Sequence, residues 1–421
     1  MKKSILFLGL IYLIFISLGL PDSILGVAWP SMNHEFHVAA SSAGIVAMVV
    51  SLGTILSSFQ TNRMIQKIGV GNLIVCSILF TVIGLCGFSF SQNFVFLIIS
   101  AIPLGLGAGA IDTAVNDYVA LHYKAHHMNW LHGFWGIGAT LGPIIMGFYL
   151  KNQNWRGGYL ILASLQFLLV VVVFFSRKQW RQPQQTTHSS EKQDSMLTLV
   201  KQSGVLFSLL CFIFYVGIEA CMGLWGSSFL VRVKGIPVST AAFMTSTYYA
   251  SLTFGRLAAG FITFVLSSRK LLYMSELLLL LGVVFLSLGS GNFAVLGFIF
   301  TGLGSAAIFP TMLHETPERF GTKNSARIMS LQLALAYTGT TCLPPLLGFL
   351  AERFSLVIFP YLLFLFGLVL FFSTIVLEKK VKDNRNQSIV FHLFSLILSV
   401  PQKRPREGPQ IFRLNNLLEH R

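Results

Sequence analysis

Three carboxylates stand inside stretches that are otherwise apolar: Asp22, Asp112 and Glu219. A charged side chain costs about 2.5 to 3.5 kcal/mol near the centre of a membrane-spanning helix, so an acid kept there has either a task or a specific bond. The sequence offers no Lys or Arg at comparable depth to neutralise these three. An unpaired carboxyl in a low-dielectric setting binds a proton more readily than one in water, and reversible protonation is what a proton-coupling site requires. Sodium is the other ion such a site could serve, through the same carboxylates and backbone carbonyls freed where a helix is interrupted. The plain alternative is an acid held permanently protonated against a neighbouring helix. Asp117, Glu276 and Glu315 lie nearer expected helix ends.

Asp112 and Asn116 are four residues apart and share a helical face, as do Asn129, His132 and Gly136. Two successive helices running in opposite directions would bring both sets toward one side of the centre, as a polar cluster suited to a polyhydroxylated molecule. His132 alone would read as a structural histidine; beside two amides and an acid it becomes a candidate ligand. Trp29 follows Asp22 by seven residues and falls nearly on its face, although Pro21 can bend the helix between them. Trp130, Trp135 and Trp225 offer flat surfaces of the kind that stack on sugar rings, with Tyr248, Tyr249 and Tyr337 as further candidates; helix packing and the membrane interface compete for each of them. A hydrolase would need a different pattern. The chain has neither a Gly-x-Ser-x-Gly elbow nor a His-Glu-x-x-His zinc pair, so no enzyme is expected. Cys76, Cys86, Cys211, Cys221 and Cys342 show no metal-ligand spacing and read as reduced thiols buried in helices, so neither metal nor cofactor is expected.

The elements that must position these residues follow from composition. Of 421 residues, 54% are hydrophobic and 11% charged, against about 25% charged in an ordinary soluble domain. Mean hydropathy is +0.71, and Phe (38) and Gly (37) abound, as helices packed in lipid require. The chain is an integral membrane protein whose constant partner is the bilayer. Its formal charge of +15 comes without the aromatic-interleaved basic groove that nucleic acid would need. A crossing takes about 20 apolar residues. Polar punctuation leaves stretches near 4–30, 41–61, 71–91, 94–121, 128–150, 157–176, 203–231, 239–264, 270–289, 293–314, 326–350 and 355–377. The first continues too far without a small-residue cleavage site to be a signal peptide. A long polar segment lies between the sixth and seventh. The expected fold is therefore an all-α membrane protein of twelve transmembrane helices in two six-helix halves: 1–176, a central loop 177–202, 203–379, and a basic tail 380–421. Counting basic residues with the N-terminus inside leaves only Lys151, Arg156, Arg232, Lys234 and Arg353 outside. Arg256 is counted with Arg269 and Lys270 in an inside loop, and both termini are expected to be cytoplasmic.

Weak internal symmetry supports related halves. Asn62-Arg63 and Lys67 after the second stretch correspond to Gly255-Arg256 at the end of the eighth with Arg269 and Lys270 in the loop beyond, and Gly138, Gly142 and Pro143 of the fifth correspond to Gly339, Pro344, Pro345 and Gly348 of the eleventh. Such pairing marks duplicated transporters, and close helix packing alone would also select the glycines.

Four segments resemble the major facilitator superfamily, and within it the fucose:proton symporter group that includes bacterial glucose and galactose permeases. They are Pro21-Asp22-Ser23-Ile24-Leu25; the run from Gly107 through Asp112 to Asn116; Tyr215-Val216-Gly217-Ile218-Glu219; and Ala307-Ile308-Phe309-Pro310. The resemblance spans about residues 3–380. It implies proton coupling and sugar recognition by Asp22 and Asp112, the latter one methylene shorter than the usual Glu. Asn129 to Trp135 is similar to the helix 5 pattern of that group, with His132 and Trp135 in place of sugar-contacting amides.

The expected function is a secondary active transporter importing a monosaccharide, a hexose or deoxyhexose, with a proton by alternating access, acting as a monomer in the cell inner membrane. Asp22 and Asp112 would carry coupling, and Asp22, Asn116, Asn129, His132, Trp135, Glu219 and Trp225 would bind substrate. A proton-driven drug or metabolite exporter and a non-transporting nutrient sensor are the alternatives. A carrier of phosphorylated solutes would need Arg or Lys in the central cavity, and the sequence reading places none there. The apolar run 388–400, too short to span and flanked by basic residues, is expected on the cytoplasmic membrane surface or disordered.

Overall fold

The structure is a computed structural model that describes residues 2–123, 125–180, 196–263, 265–288 and 291–398. Every regular element among them is helical. The order is α1 (Lys2–Asp22), α2 (Ile24–Glu35), α3 (Ser42–Ile68), α4 (Val70–Phe90), α5 (Phe94–His122), α6 (Ala125–Leu150) and α7 (Trp155–Ser176), then α8 (Met196–Lys201), α9 (Val205–Arg232), α10 (Val238–Ile262) and α11 (Ser268–Ser287), and finally α12 (Gly291–Ala306), α13 (Ile308–His314), α14 (Thr316–Phe320), α15 (Thr322–Phe354) and α16 (Phe359–Leu398). Among the described residues, 11 helical stretches are long and apolar enough to cross a membrane. The expected eighth span is α10, a helix of 25 residues whose Ser, Thr and Tyr residues and Arg256 leave it outside that set.

Two spans are interrupted, and a proline explains each. Pro21 cannot donate to the Ser17 carbonyl and its ring crowds it; the chain turns at Ser23 and separates α1 from α2. The carbonyl so freed is not left bare, because the buried Gln166 amide of α7 donates to it at 2.8 Å while Thr81 of α4 donates to the Gln166 carbonyl oxygen. Pro310 does the same to the Ala306 carbonyl, and α12 gives way to α13 at Ala307. Both interruptions fall within segments that carried the family resemblance.

Glycines bring backbones together where side chains could not fit. α1 lies on α6, and a Cβ at Gly138 would run into the Ile16 carbonyl, as one at Gly19 would into that of Trp135. The Gly138 and Gly142 pair is thus occupied with packing. Helices from before and after the 181–195 segment meet at one end of the bundle. There α2 touches α9, Gly44 of α3 faces Pro345 of α15, and Ser41 donates to Glu352. α6 and α10 also pack together, through contacts that include Gly147 against Phe243 and Gly136 against Thr253.

Three expectations change here. Helix α16 does not end near 377: its backbone stays helical through Leu398, so most of the 388–400 run continues the last helix instead of lying apart; the rest of the tail falls outside the described residues. Of the five free cysteines, Cys76 and Cys342 are exposed on helix surfaces. Glu276 is no helix-end acid but lies deep in α11, 1% exposed, accepting from Thr374 at 2.6 Å. Residues 181–195 of the expected central loop lie outside the described residues.

Candidate functional site

Asp22 is the last residue of α1 and sits mid-way along the span Leu6–Glu35, yet it is exposed. Its Oδ2 accepts from the Trp135 indole N–H of α6 at 2.9 Å, and it lies within electrostatic reach of Asp112 of α5, Tyr249 of α10 and Tyr337 of α15. A carboxylate enclosed by four helices and still accessible faces an internal cleft. The helices close over one end through Ser41, Gly44 and Glu352, and Lys2, Ile68 and His122 lie at the other.

Asp112 is half-buried; Asn116, one turn on, gives its amide to both the Asp112 Oδ1 and the Asp112 carbonyl, each at 2.9 Å. Its own Oδ1 has no partner among the described residues. Across the cleft, the Tyr337 hydroxyl comes to Asp112 and to Ser58 of α3. The helical spacing therefore produced a contact, although much of the Asn116 donor capacity is spent on its own turn.

His132 is exposed on the same α6 face as Trp135, with its ring edge-on to Phe15 at 5.9 Å and the charge of Arg256 within reach. No hydrogen bond joins it to Asn116 among the described residues. Asn129 lies on α6 one turn earlier; its side chain is outside the described ones.

Glu219 is where the sequence reading fails most instructively. It is not unpaired: the Tyr215 hydroxyl donates to its Oε2 at 2.6 Å, and the Arg256 Nη2 stands 3.3 Å from both carboxylate oxygens. Arg256 is not in a loop either, because α10 continues through Ile262, more than a turn past it. Its guanidinium carbon lies 5.4 Å from the centre of the Trp135 ring. The signal was present in the sequence, since Arg256 falls inside the apolar stretch 239–264, but its resemblance to a loop signature drew it outside.

Two tryptophans leave the site. Trp225 is fully buried and donates to the Pro344 carbonyl at 2.8 Å, with Gly348 against its ring; it packs α9 on α15. Trp29 is also fully buried and donates to the Ala40 carbonyl at 2.7 Å, because the turn at Ser23 ends the helical phase that a seven-residue spacing assumes. Tyr248 is buried as well. What remains is a line of polar groups across the cleft: Asp112 with Asn116, then Asp22, Trp135, Arg256 and Glu219. It carries two carboxylates at one end and the Arg256–Glu219 pair at the other.

This arrangement can be set beside known proteins. The family model described as the Major Facilitator Superfamily matches residues 11–293 and 207–405. The chain is 22% identical over 277 residues to the bypass of stop codon protein 6 of Saccharomyces cerevisiae, a match covering 60% of this chain and 56% of the yeast protein's length. It is 22% identical over 312 residues to the glucose/mannose transporter GlcP of Bacillus subtilis, covering 72% and 77%. The crystal structure of a D-xylose-proton symporter superposes with a TM-score of 0.71 at 12% identity, covering 89% of this chain and 97% of that one, a likeness of fold.

Proposed function

We propose, from the premise that this chain belongs to the Major Facilitator Superfamily, that it is a secondary active transporter carrying a monosaccharide together with a proton. The observation that carries this is the placement of Asp22 and Asp112, two carboxylates facing one cleft in mid-bundle with Trp135 and Asn116 as their donors. Carboxylates accept from sugar hydroxyls, and Trp135 presents an aromatic face. The relative named for glucose and mannose supports a sugar.

In this reading the two sets of helices, 1–176 and 203–379, rock about the cleft. The described state is closed at the Ser41 and Glu352 end and open at the end that carries Lys2. With both termini cytoplasmic, that is the inward-open state, and the single chain is the working unit. Protonation moves the equilibrium between states only as far as it favours one of them.

The test is uptake into proteoliposomes of labelled sugars under an imposed proton gradient, a sodium gradient, or none. Accumulation driven by protons supports the proposal, and accumulation driven only by sodium replaces the ion. The Asp112→Asn variant should lose gradient-driven accumulation and keep exchange, because an amide mimics the protonated acid and cannot cycle its charge. Full concentrative uptake by that variant would remove Asp112 from coupling.

A further inference from the structure

A positive charge in the middle of a membrane bundle is expensive, and a buried ion pair repays that cost only when its geometry is good and its remaining donors are satisfied. Arg256 meets neither condition. Its side chain is 18% exposed and that of Glu219 17%, but the pair is loose. One nitrogen, Nη2, is shared among the two Glu219 oxygens at 3.3 Å and the Tyr215 hydroxyl at 3.4 Å, whereas charge-assisted bonds of this kind close to about 2.7 to 2.9 Å. The tighter partner of Glu219 is Tyr215, at 2.6 Å. Nε and Nη1 of Arg256 bond no described residue. A guanidinium presents its five N–H groups in a rigid fork matched to a carboxylate, and here most of that fork is unused.

Its position gives the unused fork a direction. Arg256 lies over one face of Trp135, and the indole N–H of the same Trp135 holds Asp22. A solute resting on Trp135 would meet a cation on one side and acceptor oxygens on the other. We infer that Arg256 receives a carboxylate, and that the solute is a sugar acid, with its carboxylate on Arg256 and its hydroxyls toward Asp22 and Asp112. This rests on the reading of the cleft as the solute site. A neutral hexose would fill the hydroxyl side and leave the guanidinium without its partner, the kind of mismatch against which polar sites discriminate strongly.

The same geometry sets the solute against Glu219. Glu219 and the solute carboxylate compete for one guanidinium. A solute carboxylate that draws Arg256 away leaves Glu219 held by the Tyr215 hydroxyl, at 2.6 Å. The groups that face Glu219 are Tyr215 on its own helix and Arg256, Tyr248 and Tyr249 on α10, with His132 of α6 within reach of Arg256.

The experiment is uptake into proteoliposomes holding the full chain, with labelled glucuronate, galacturonate and gluconate compared with labelled glucose and galactose under an inward proton gradient. At least a tenfold preference for an acid is expected. The methyl ester of the preferred acid should fail to compete in the unmodified protein, a readout that needs no variant. Arg256→Gln should lose acid uptake by tenfold or more, Arg256→Lys should lose less, and Glu219→Gln, which removes the competing carboxylate, should bind the acid more tightly. Uptake of neutral hexoses equal to or above that of the acids, or acid uptake unchanged in Arg256→Gln, would overturn this inference and leave sugar transport standing. Uptake of neither class would overturn the sugar reading beneath it.

Discussion

Two of the arginines on the later helices of this protein, Arg319 and Arg256, are treated in opposite ways. Arg319 of α14 is 4% exposed and its Nη2 lies 2.6 Å from Glu315 and 2.7 Å from Glu378 of α16, with Arg269 of α11 adding a second contact to Glu378 at 3.4 Å. Its Nη1 reaches the Met312 sulfur at 3.1 Å. Arg256 has one acid, at 3.3 Å, in a cleft open to solvent. The first is an ion cluster that ties helix ends together with short, redundant bonds. The second has been left incomplete, in a bundle that elsewhere caps even a proline-freed carbonyl with Gln166. That contrast separates the arginine that holds the fold from the one that is free to act.

Neutralising each arginine should break this comparison or sharpen it. Arg319→Gln leaves Glu315 without its cation and Glu378 with only the looser Arg269, and breaking a largely buried pair costs about 3 to 5 kcal/mol, so thermal unfolding in detergent should drop sharply or the protein should fail to accumulate. Arg256→Gln removes a pair that is already loose, at 3.3 Å, and leaves Glu219 with the Tyr215 hydroxyl at 2.6 Å, so its cost should fall well below that of Arg319→Gln. Equal losses of thermal stability in the two variants would mean that Arg256 is structural after all.

The tryptophans divide along the same line, with a smaller expected effect. Trp225→Phe removes the donor to the buried Pro344 carbonyl, and an unsatisfied buried acceptor costs about 1 to 3 kcal/mol. It should lower the unfolding temperature and leave the apparent KM for the solute alone. Trp135→Phe removes the donor to Asp22, whose carboxylate is exposed and can turn to water. It should raise the apparent KM with little change in stability. The reverse pattern would place the solute against α15 instead of in the cleft.

Much of this was legible before the structure, and the failures share a cause. Apolar runs bounded by Gly, Asn and basic residues locate the helices because lipid demands length and hydropathy together, and the 112/116 spacing found a real pair because both residues lie on one uninterrupted helix. Spacing across Ser23 misplaced Trp29, since the proline there ends the phase on which the inference depended. Trp225 and Trp135 are alike in sequence context, and only the neighbouring helix decides which is buried. Arg256 was misassigned because a charge in a span is costly on average, and the partner that offsets it lies on another helix, where one sequence gives no view of it. Gln166 went unremarked for the same reason: its role exists only where α7 meets the kink of α1.

The smallest predicted effect concerns the closed end of the cleft. Ser41 donates to Glu352 across α3 and α15, next to the contact in which Gly44 presses on Pro345 and Gly348 on the Trp225 ring. The hydrogen bond is exposed, and its loss in Ser41→Ala should be worth roughly 0.5 to 1 kcal/mol, which moves a two-state population by about two- to fivefold. The glycine contact is different in kind. A Cβ at Gly44 would lie 2.8 Å from the Pro345 Cα, which is backbone and cannot yield, so Gly44→Val should force this end apart. Spin labels on the exposed positions Ala39 and Phe354 report the separation directly. Ser41→Ala should broaden the distance distribution toward longer values by that modest factor, and Gly44→Val should move it almost entirely. If Ser41→Ala alone opened the end fully, the hydrogen bond and not the fit of glycine against proline would be what keeps it shut.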